Sequence, residues 1–430
     1  TNYSIKVKVV DTLGRESNVY NLSVTTDEYV LPKVTDVSTS STSNSITINV
    51  SASGGTGNVV KYYYSKDNGS NYVESTSSSY TFSNLTSNAT FYIKVYVKDS
   101  NNRTSSVSAT SIRTKSNVKL YNYVKSKYTS QGSNGLYYHD SSLTNGAGDN
   151  SYRYAGASDA VNNYVCFGST QSPCPADNLY RIIGVFGDRV KLIKSDYATS
   201  TLLGADGDYK QAYTATGNAS SNYKGNNLAN IAAYTWNYKN NTTINSGYGS
   251  NTWSTSLLNK TNLNTNFITN IGADWAAKIA DTTWKVGGNT WANIGTQPAK
   301  TAYQNEIVSP VTTNTTDNAT DYSAKVGLMY VSDYMYAAPQ DKWTLVGYNS
   351  DASKDYRAAT SVNWMYMGLW EWTISRYADL AFYVFYVYYT GFVLNSNAFN
   401  AYGVRPVFYL SSSVNYASGS GTAADPILVT

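Results

Sequence analysis

The stretch Phe91-Tyr-Ile-Lys-Val-Tyr-Val-Lys-Asp99 decides the fold of the first quarter of the chain, because apolar and polar residues alternate along it. Alternation with a period of two is typical of a β-strand that has one face in a core. The same pattern occurs in Tyr3-Ser-Ile-Lys-Val-Lys-Val-Val-Asp11, which aligns with the first stretch without gaps at an offset of 88 residues. The same offset pairs Arg15 with Arg103. A strand, a polar turn and a second strand therefore recur, and the pattern predicts repeated β-sandwich modules.

The repeat sets the predicted domain boundaries. Residues 1–29 form the C-terminal part of one repeat, and residues 30–115 form a complete copy. The stretch Tyr80-Thr-Phe-Ser-Asn-Leu85 leading to Tyr92-Ile-Lys-Val resembles the fibronectin type III pattern, with Tyr92 in the place of that family's tyrosine corner. The resemblance implies immunoglobulin-like sandwiches, for which we expect a spacer role. Because Thr1 falls inside a strand pattern, we expect export and anchor signals to lie outside this sequence.

The composition of the chain favours an exported binding protein. The net charge is +4, only 14% of residues are charged, and no run of Lys and Arg exceeds two residues, which argues against nucleic acid as a partner. The sequence contains no run of 18 apolar residues, which is about the length that a membrane-spanning helix needs. There are 42 tyrosines against 10 phenylalanines, and tyrosine is common both on binding surfaces and in strands.

Few residues could carry catalysis or hold a metal ion. Cys166 and Cys174 are the only cysteines, and in an exported protein they predict one local disulfide. The single histidine, His139, has no nucleophile motif near it and cannot complete a zinc site with two cysteines. We therefore expect no metal, no cofactor and no enzymatic activity. A hydrolase with paired carboxylates is the least favoured alternative.

From about residue 116 the sequence changes to irregular strands and short helices. Residues 178–186 and 189–194 predict two strands joined by a two-residue turn at Gly187 and Asp188. Residues 254–279 predict one or two short helices, and residues 326–338 predict a strand followed by a helix. The predicted fold class is therefore multidomain, with β-sandwiches followed by an α+β domain over residues 116–430.

Two landmarks frame the C-terminal segment: Trp370-Glu-Trp-Thr-Ile-Ser375 and Gly403-Val-Arg-Pro-Val-Phe-Tyr-Leu410. With the hairpin at Gly187, they resemble the C-type-lectin-fold variable proteins of diversity-generating retroelements. In that family a reverse transcriptase mutates adenines, so that asparagine codons in one segment come to encode many other residues. The resemblance implies a C-type lectin fold and a variable ligand-binding surface.

An internal check supports a variable segment over residues 376–402. Mutation of adenines in asparagine codons never produces Lys, Glu, Gln, Trp or Met, and none of these occurs in the segment. The tripeptides with which many animal C-type lectins bind calcium and sugar are absent. The predicted ligand-binding residues are Tyr377, Asp379, Tyr383, Phe385, Tyr386, Tyr388, Tyr389, Phe392, Leu394, Asn395, Asn397, Phe399, Asn400 and Tyr402.

The expected scaffold surrounds this segment. It comprises Glu371, Trp372, Gly403, Arg405 and Pro406, together with Trp370. A buried arginine needs a carboxylate, for which we favour Glu371 over Asp379.

Alternation within the variable segment predicts which side chains face a ligand. Phe382 and Val384 should point to the core, and Tyr383 and Phe385 should point outward.

The leading hypothesis is a receptor on a cell or virion surface. Its Tyr-rich surface would bind a protein or glycan on another cell, virus or host. The alternative is a fixed structural or adhesive cell-wall protein in which the aromatic hairpin is buried.

Overall fold

The fold is described from a computed structural model, which covers residues 1–26, 28–214, 218–226, 228–238, 249–311 and 319–430, without the side chains of residues 218–219. The chain divides into two compact units, Thr1–Asn117 and Val118–Thr430. The predicted boundary between residues 115 and 116 lies two residues before this division.

The first unit contains a two-sheet β-sandwich and a separate hairpin. One antiparallel sheet has the order β3-β4-β7, the other has the order β6-β5-β8-β9, and β1 pairs with β2. The strands are β1 Asn2–Val7, β2 Tyr20–Thr25, β3 Lys33–Ser41, β4 Ile46–Ser53, β5 Val59–Ser65, β6 Val73–Ser75, β7 Ser79–Phe82, β8 Thr90–Asp99 and β9 Ser108–Arg113.

Alternating side chains from the two sheets build the core of the sandwich. Ile46 and Ile48 of β4 meet Ile93, Val95 and Val97 of β8, and all five are buried. The intervening residues of β8 point away from this core, as a period of two requires.

The hairpin β1–β2 repeats the geometry of the hairpin β8–β9. In both, an aspartate after the first strand accepts hydrogen bonds from the backbone N–H and the guanidinium of an arginine four residues later. The Nε–Oδ2 distance is 2.7 Å for Arg15 and Asp11, and 2.9 Å for Arg103 and Asp99. The strand registers also match at the same offset. The repeat inferred from the sequence is therefore confirmed in three dimensions.

The predicted tyrosine corner at Tyr92 is wrong. The Tyr92 side chain is 60% exposed, because Tyr92 has the outward parity on β8. Phe91 has the inward parity, together with Ile93, and packs against the core. Neighbouring residues of a strand point to opposite faces, so the inward position belongs to Phe91, which has no hydroxyl group to form such a corner.

The second unit combines sheets with short helices. Its strands are β10 Leu136–His139, β11 Ser151–Tyr154, β12 Tyr164–Cys166, β13 Leu179–Phe186, β14 Arg189–Lys194, β15 Tyr209–Ala212, β16 Ala232–Thr235, β17 Thr282–Lys285, β18 Asp321–Ala324, β19 Val326–Gly327, β20 Glu371–Arg376, β21 Tyr383–Val387, β22 Val393–Asn397, β23 Ala401–Tyr402, β24 Val407–Tyr409, β25 Tyr416–Ser418 and β26 Ile427–Val429.

The helices of the second unit are all short. The α-helices are α1 Leu120–Lys125, α2 Ser200–Leu203, α3 Asn218–Asn222, α4 Phe267–Asn270, α5 Ala273–Ala276, α6 Trp291–Thr296, α7 Ala299–Tyr303 and α8 Val331–Tyr336. Two π-helical stretches cover Leu258–Asn266 and Gln304–Val308. The 3₁₀ turns are Ser133–Gly135, Ala176–Asn178, Leu228–Asn230, Trp253–Thr255, Gln340–Lys342, Ala352–Lys354 and Tyr356–Ala359. No helix in the described part of the chain is long and apolar enough to cross a membrane.

The main sheet of the second unit has the order β19-β24-β14-β13-β12-β26-β25, and β11 joins β10 to β13. The predicted hairpin is confirmed: Phe186 pairs with Arg189 across a turn in which Gly187 has a φ of 65°. The predicted helical segment is confirmed in the helices between Trp253 and Ala276.

The two ends of the second unit lie side by side. Strand β26 pairs in parallel with β12, the Tyr416 N–H donates to the Val118 carbonyl, and the Tyr123 and Tyr416 rings stack 3.7 Å apart. The predicted disulfide joins Cys166, the last residue of β12, to Cys174. It closes the loop that leads from β12 towards β13.

Candidate functional site

Strands β20, β21 and β22 form a separate three-stranded antiparallel sheet that carries most of the predicted site. Glu371 of β20 pairs with Val387, and Tyr386 of β21 pairs with Leu394 of β22. Strand β21 is therefore central, with a neighbour on each edge.

The scaffold of the site is held by a buried ion pair. Arg405 donates from Nε and Nη2 to the two carboxylate oxygens of Glu371, at 2.7 and 3.0 Å, and from Nη2 to the Met365 carbonyl at 2.7 Å. Burial raises the pKa of the Glu371 carboxyl, and the Arg405 charge opposes that shift. The predicted partner of Arg405 is therefore confirmed, and Asp379 is not its partner.

The other scaffold residues are also buried. The Trp372 indole N–H donates to the Tyr234 carbonyl at 2.9 Å. A Cβ on Gly403 would lie 2.7 Å from the Tyr197 ring, so the close approach requires glycine. Pro406 lies in the same buried run.

Four aromatic rings of the variable segment and the ring of the scaffold residue Trp370 form a continuous strip, which we name the aromatic strip. Its rings lie within about 6 Å of their neighbours in the order Tyr402, Trp370, Tyr389, Tyr388 and Phe392. Tyr388 stacks on Phe392 with centroids 4.5 Å apart and an angle of 18° between the planes. All five residues are half-buried, so part of each ring faces solvent.

Residues outside the variable segment extend the strip. The Tyr348 ring lies 5.1 Å from Phe392 and 6.0 Å from Trp291. The Arg357 guanidinium covers both Tyr348 and Phe392, at 5.5 and 5.2 Å from their centroids. Tyr348 is 37% exposed, which makes it one of the most accessible large rings of this region.

A second group of predicted residues adjoins Trp291. The Trp291 backbone N–H donates to the Asp379 carboxylate at 3.1 Å. The Tyr377 ring lies 5.7 Å from Tyr383 and 5.5 Å from Phe385. Burial raises the pKa of Tyr377, and the neighbouring Asp379 adds to the shift. Asp379 is therefore partly engaged by the scaffold.

Two predicted contact residues are buried. Phe385 is 0% exposed and Tyr386 is 5% exposed, so their prediction as ligand-facing residues is wrong. Strand β21 is covered on both faces, with Tyr377 against Phe385 and Trp372 against Tyr386. Alternation could not reveal this, because it assumes one solvent-facing side.

The orientation predicted for Phe382 is also wrong. Val384 is in the core as predicted, whereas Phe382 is half-buried and precedes the strand. Its ring lies 4.7 Å from the Tyr383 ring.

The remaining predicted contact residues are half-buried. Asn400 donates to the Ser396 hydroxyl at 2.7 Å, and Ser396 bonds with the Tyr402 hydroxyl at 2.9 Å. The other half-buried candidates are Tyr377, Asp379, Tyr383, Tyr388, Tyr389, Phe392, Leu394, Asn395, Asn397 and Phe399. The structure thus places twelve of the fourteen candidates partly at the surface.

Three residues of the candidate site were not found from the sequence: Trp291, Tyr348 and Arg357. Trp291 begins α6, Tyr348 lies in a loop and Arg357 lies in a 3₁₀ turn, and no spacing connects them to Phe392. Their aromatic and guanidinium side chains are typical of contact surfaces, but a chain with 42 tyrosines offers too many such residues for that signal to select them.

His139 lies in the core between Tyr336 and Trp343, whose ring centroids are each 4.8 Å from the imidazole. Its Nδ1 accepts a hydrogen bond from the Ala147 backbone N–H. Burial lowers the pKa of the imidazole well below its usual value. Among the described residues, no cluster of three His, Cys, Asp or Glu side chains could hold a metal ion.

The chain is similar to several solved structures, with low TM-scores. No protein-family model and no curated protein matches the chain. The chain is similar to a structure named FN3tt mut, at 14% identity over 20% of this chain and 97% of that chain, with a TM-score of 0.17. It is similar to the PKD1 domain of the Vibrio cholerae metalloprotease PrtV, at 20% identity over 20% and 100% of the two chains, with a TM-score of 0.17.

A third similar structure is that of domains d3–d4 of the rat CD45 extracellular region. The identity is 17% over 26% of this chain and 64% of that chain, and the TM-score is 0.19. The β-sandwich of the first unit is therefore established by its own strand pairing, not by these scores.

Proposed function

We propose that the chain is an extracellular receptor whose second unit is a C-type-lectin-fold variable protein of a diversity-generating retroelement, with no enzymatic activity. The unit would present its aromatic strip to a protein or glycan on another cell, virus or host surface. The observation that carries the proposal is the contrast between the half-buried rings of residues 377–402 and the buried scaffold around them.

The chemistry of the strip supports a binding role. Tyrosine and tryptophan give large, rigid contact areas that lose little side-chain entropy on binding. Arg357 adds a cation beside Phe392, and interfaces of proteins are enriched in arginine and aromatic residues.

The local disulfide supports an extracellular location. The bond between Cys166 and Cys174 persists in oxidising compartments and is rare in the cytosol.

The alternative is a fixed adhesive or structural protein in which the aromatic segment is part of the core. The burial of Phe385 and Tyr386 favours this reading for strand β21. It does not explain why the rings after the strand lie half at the surface.

A substitution experiment separates the two functions. We would replace Tyr388, Tyr389 and Phe392 together by serine, a change that adenine mutagenesis can produce. A receptor with a tolerant scaffold should keep its fold and lose less stability than the single control Phe385→Ser. Unfolding can be followed by tryptophan emission, since all nine tryptophans lie in the second unit. If the triple variant is less stable than the control, the structural alternative gains support.

The gene neighbourhood gives a second test. The proposal requires a near-identical template copy beside the gene that differs only at template adenines, together with a reverse transcriptase gene. Absence of both would refute the retroelement part and leave a fixed receptor to be tested by the serine variants.

A further inference from the structure

A polar cavity of about 470 Å³ lies in the second unit outside the variable segment. Its wall includes Asp159, Tyr164, Arg181, Asp196, Lys224 and Tyr366. The volume falls in the range of small-molecule sites and is far larger than a single inorganic anion requires.

Arg181 is a buried cation in this wall, and no carboxylate lies within ion-pair distance of it among the described residues. Its hydrogen bonds go to neutral oxygens: Nε to Asn163, Nη1 to the Ser158 hydroxyl, and Nη2 to the carbonyls of Ser158 and Val161. These use four of the five guanidinium hydrogens, so one hydrogen on Nη1 has no acceptor in the described residues.

The guanidinium is fixed in place by two aromatic rings. Tyr164 and Trp364 lie 4.2 and 4.7 Å from it. Such stacking stabilises the cation without neutralising its charge.

Two further buried cations, Lys194 and Arg405, lie near Arg181. Lys194 is buried, and its nearest carboxylate is the exposed Asp177 at 3.9 Å. Arg405 is paired with Glu371 but its Nη1 is buried without an acceptor. Burial lowers the pKa of Arg181 to about 10, and the charge of Arg405 contributes. An anionic group in the cavity would supply the carboxylate partner that Arg181 lacks.

The cavity mouth also offers side chains that can contact a sugar. Lys224 and Asp159 are exposed and form no ion pair among the described residues. The carboxylate of Asp159 accepts hydrogen bonds from hydroxyl groups, and Tyr164 and Tyr366 provide aromatic surface. Asp196 is already engaged, because it accepts from the Tyr223 hydroxyl at 2.7 Å.

We propose that this cavity binds a saccharide that carries one carboxylate, such as a uronic acid residue of an acidic glycan. The carboxylate would lie against Arg181 and Lys224, and the sugar hydroxyls would face Asp159 and Tyr164. A phosphate dianion fits less well, because Asp159 would repel its two charges more strongly than the single charge of a carboxylate, and most of the cavity would stay empty. The site lies outside residues 376–402, so this proposal stands or falls independently of the receptor proposal.

The test uses the whole chain and two sugars that differ only in the carboxylate. D-glucuronate should bind saturably in titration calorimetry or ligand-observed NMR, with a Kd on the order of millimolar for a monosaccharide. D-glucose should bind at least about tenfold more weakly, because it lacks the charge.

Matched variants locate the binding. Lys224→Gln should weaken glucuronate binding by about fivefold. Lys260→Gln removes an exposed lysine outside the cavity wall and should leave the affinity unchanged. Asp159→Asn keeps the size of the side chain and should weaken glucose more than glucuronate, because it weakens a hydroxyl acceptor but also removes a charge that repels the carboxylate.

The outcomes decide the proposal. Equal affinity for both sugars, tighter binding of inorganic phosphate than of glucuronate, or equal effects of the two lysine variants would each overturn it. Arg181→Gln should abolish binding in protein that still unfolds cooperatively. If that variant does not fold, the lysine pair and Asp159→Asn decide.

Discussion

Strand β8 of the first unit and strand β21 of the second unit show two relations between sequence and burial. Along β8, Ile93, Val95 and Val97 are buried and the residues between them are not. Along β21, every residue from Val384 to Val387 is buried. The first strand has one face in a core, and the second is covered on both faces.

This difference shows when alternation of apolar and polar residues can identify the solvent-exposed face of a strand. The run Tyr383-Val-Phe-Tyr-Val387 contains no charged or amide side chain, and continuous apolar runs are typical of strands buried on both faces. Along β8, lysines at positions 94 and 98 mark the solvent side. A polar residue at alternate positions is therefore the better indicator of a free face.

The largest expected effect comes from the buried ion pair between Glu371 of β20 and Arg405. Glu371→Ala should lower the free energy of unfolding of the second unit by about 3–5 kcal/mol, because Arg405 would remain buried without its carboxylate. Denaturant titration followed by tryptophan emission measures this change. The exposed ion pair of Lys61 and Glu74 in the sandwich provides the comparison. Lys61→Ala should lower the stability of the sandwich much less, as measured by hydrogen exchange of the sandwich's backbone amides. Similar losses of stability for Glu371→Ala and Lys61→Ala would contradict the difference in burial between the two ion pairs.

The next effect distinguishes the two faces of the variable segment. Phe385→Ala should cost about 3–5 kcal/mol, because it leaves a cavity in a closed core. Phe392→Ala removes the same ring from the aromatic strip and should cost less than half as much. The same titration compares the two variants. A larger loss for Phe392 would place the strip in the core.

A pH effect should arise from Glu306, which is buried next to β20. Its carboxylate accepts hydrogen bonds from the Val331 and Ser332 backbone N–H groups and from the Ser375 hydroxyl, yet burial raises its pKa from 4.5 to about 7. The folded unit then holds this proton more tightly than the unfolded chain. The contribution to stability is full below pH 4.5 and decreases as the pH rises to about 7, by about 3 kcal/mol.

Glu306→Gln cannot ionise and should lack this part of the pH dependence. Denaturant titrations between pH 4.5 and 8 would compare the two proteins. Parallel curves would show that Glu306 does not titrate in this range.

The smallest effect is expected at the misplaced tyrosine corner. Tyr92→Ser should change stability of the sandwich by no more than about 0.5 kcal/mol, because the ring is mostly in solvent. Its neighbour Ile93→Ala should cost about 2–5 kcal/mol. Hydrogen exchange of β8 and β9 would report both changes. A large loss of stability in Tyr92→Ser would show that Tyr92 stabilises the sandwich.

Features that depend on residues close in sequence were predictable. The turn that joins the repeated strands, the hairpin at Gly187 and the disulfide each involve residues fewer than ten positions apart. The pairing of Glu371 with Arg405 was also predicted, because the two residues lie in the two sequence landmarks that frame the C-terminal segment.

Features that depend on distant packing were not predictable. The contact of Phe392 with Tyr348 and Arg357 joins separate loops, and the parallel pairing of β12 with β26 joins opposite ends of the unit. No local pattern encodes either one. Phe385 is buried because Tyr377 covers its face of strand β21, and the alternating pattern gives no information about such a contact.

The adjacency of the two ends of the second unit has a consequence for engineering. Because the segment at Val118 and strands β25 and β26 are hydrogen-bonded neighbours, chain entry and exit share one location. A unit of this kind can be spliced into a surface loop of a host protein by two short linkers. Such a graft would carry the complete three-stranded sheet and its rings as one transferable cassette.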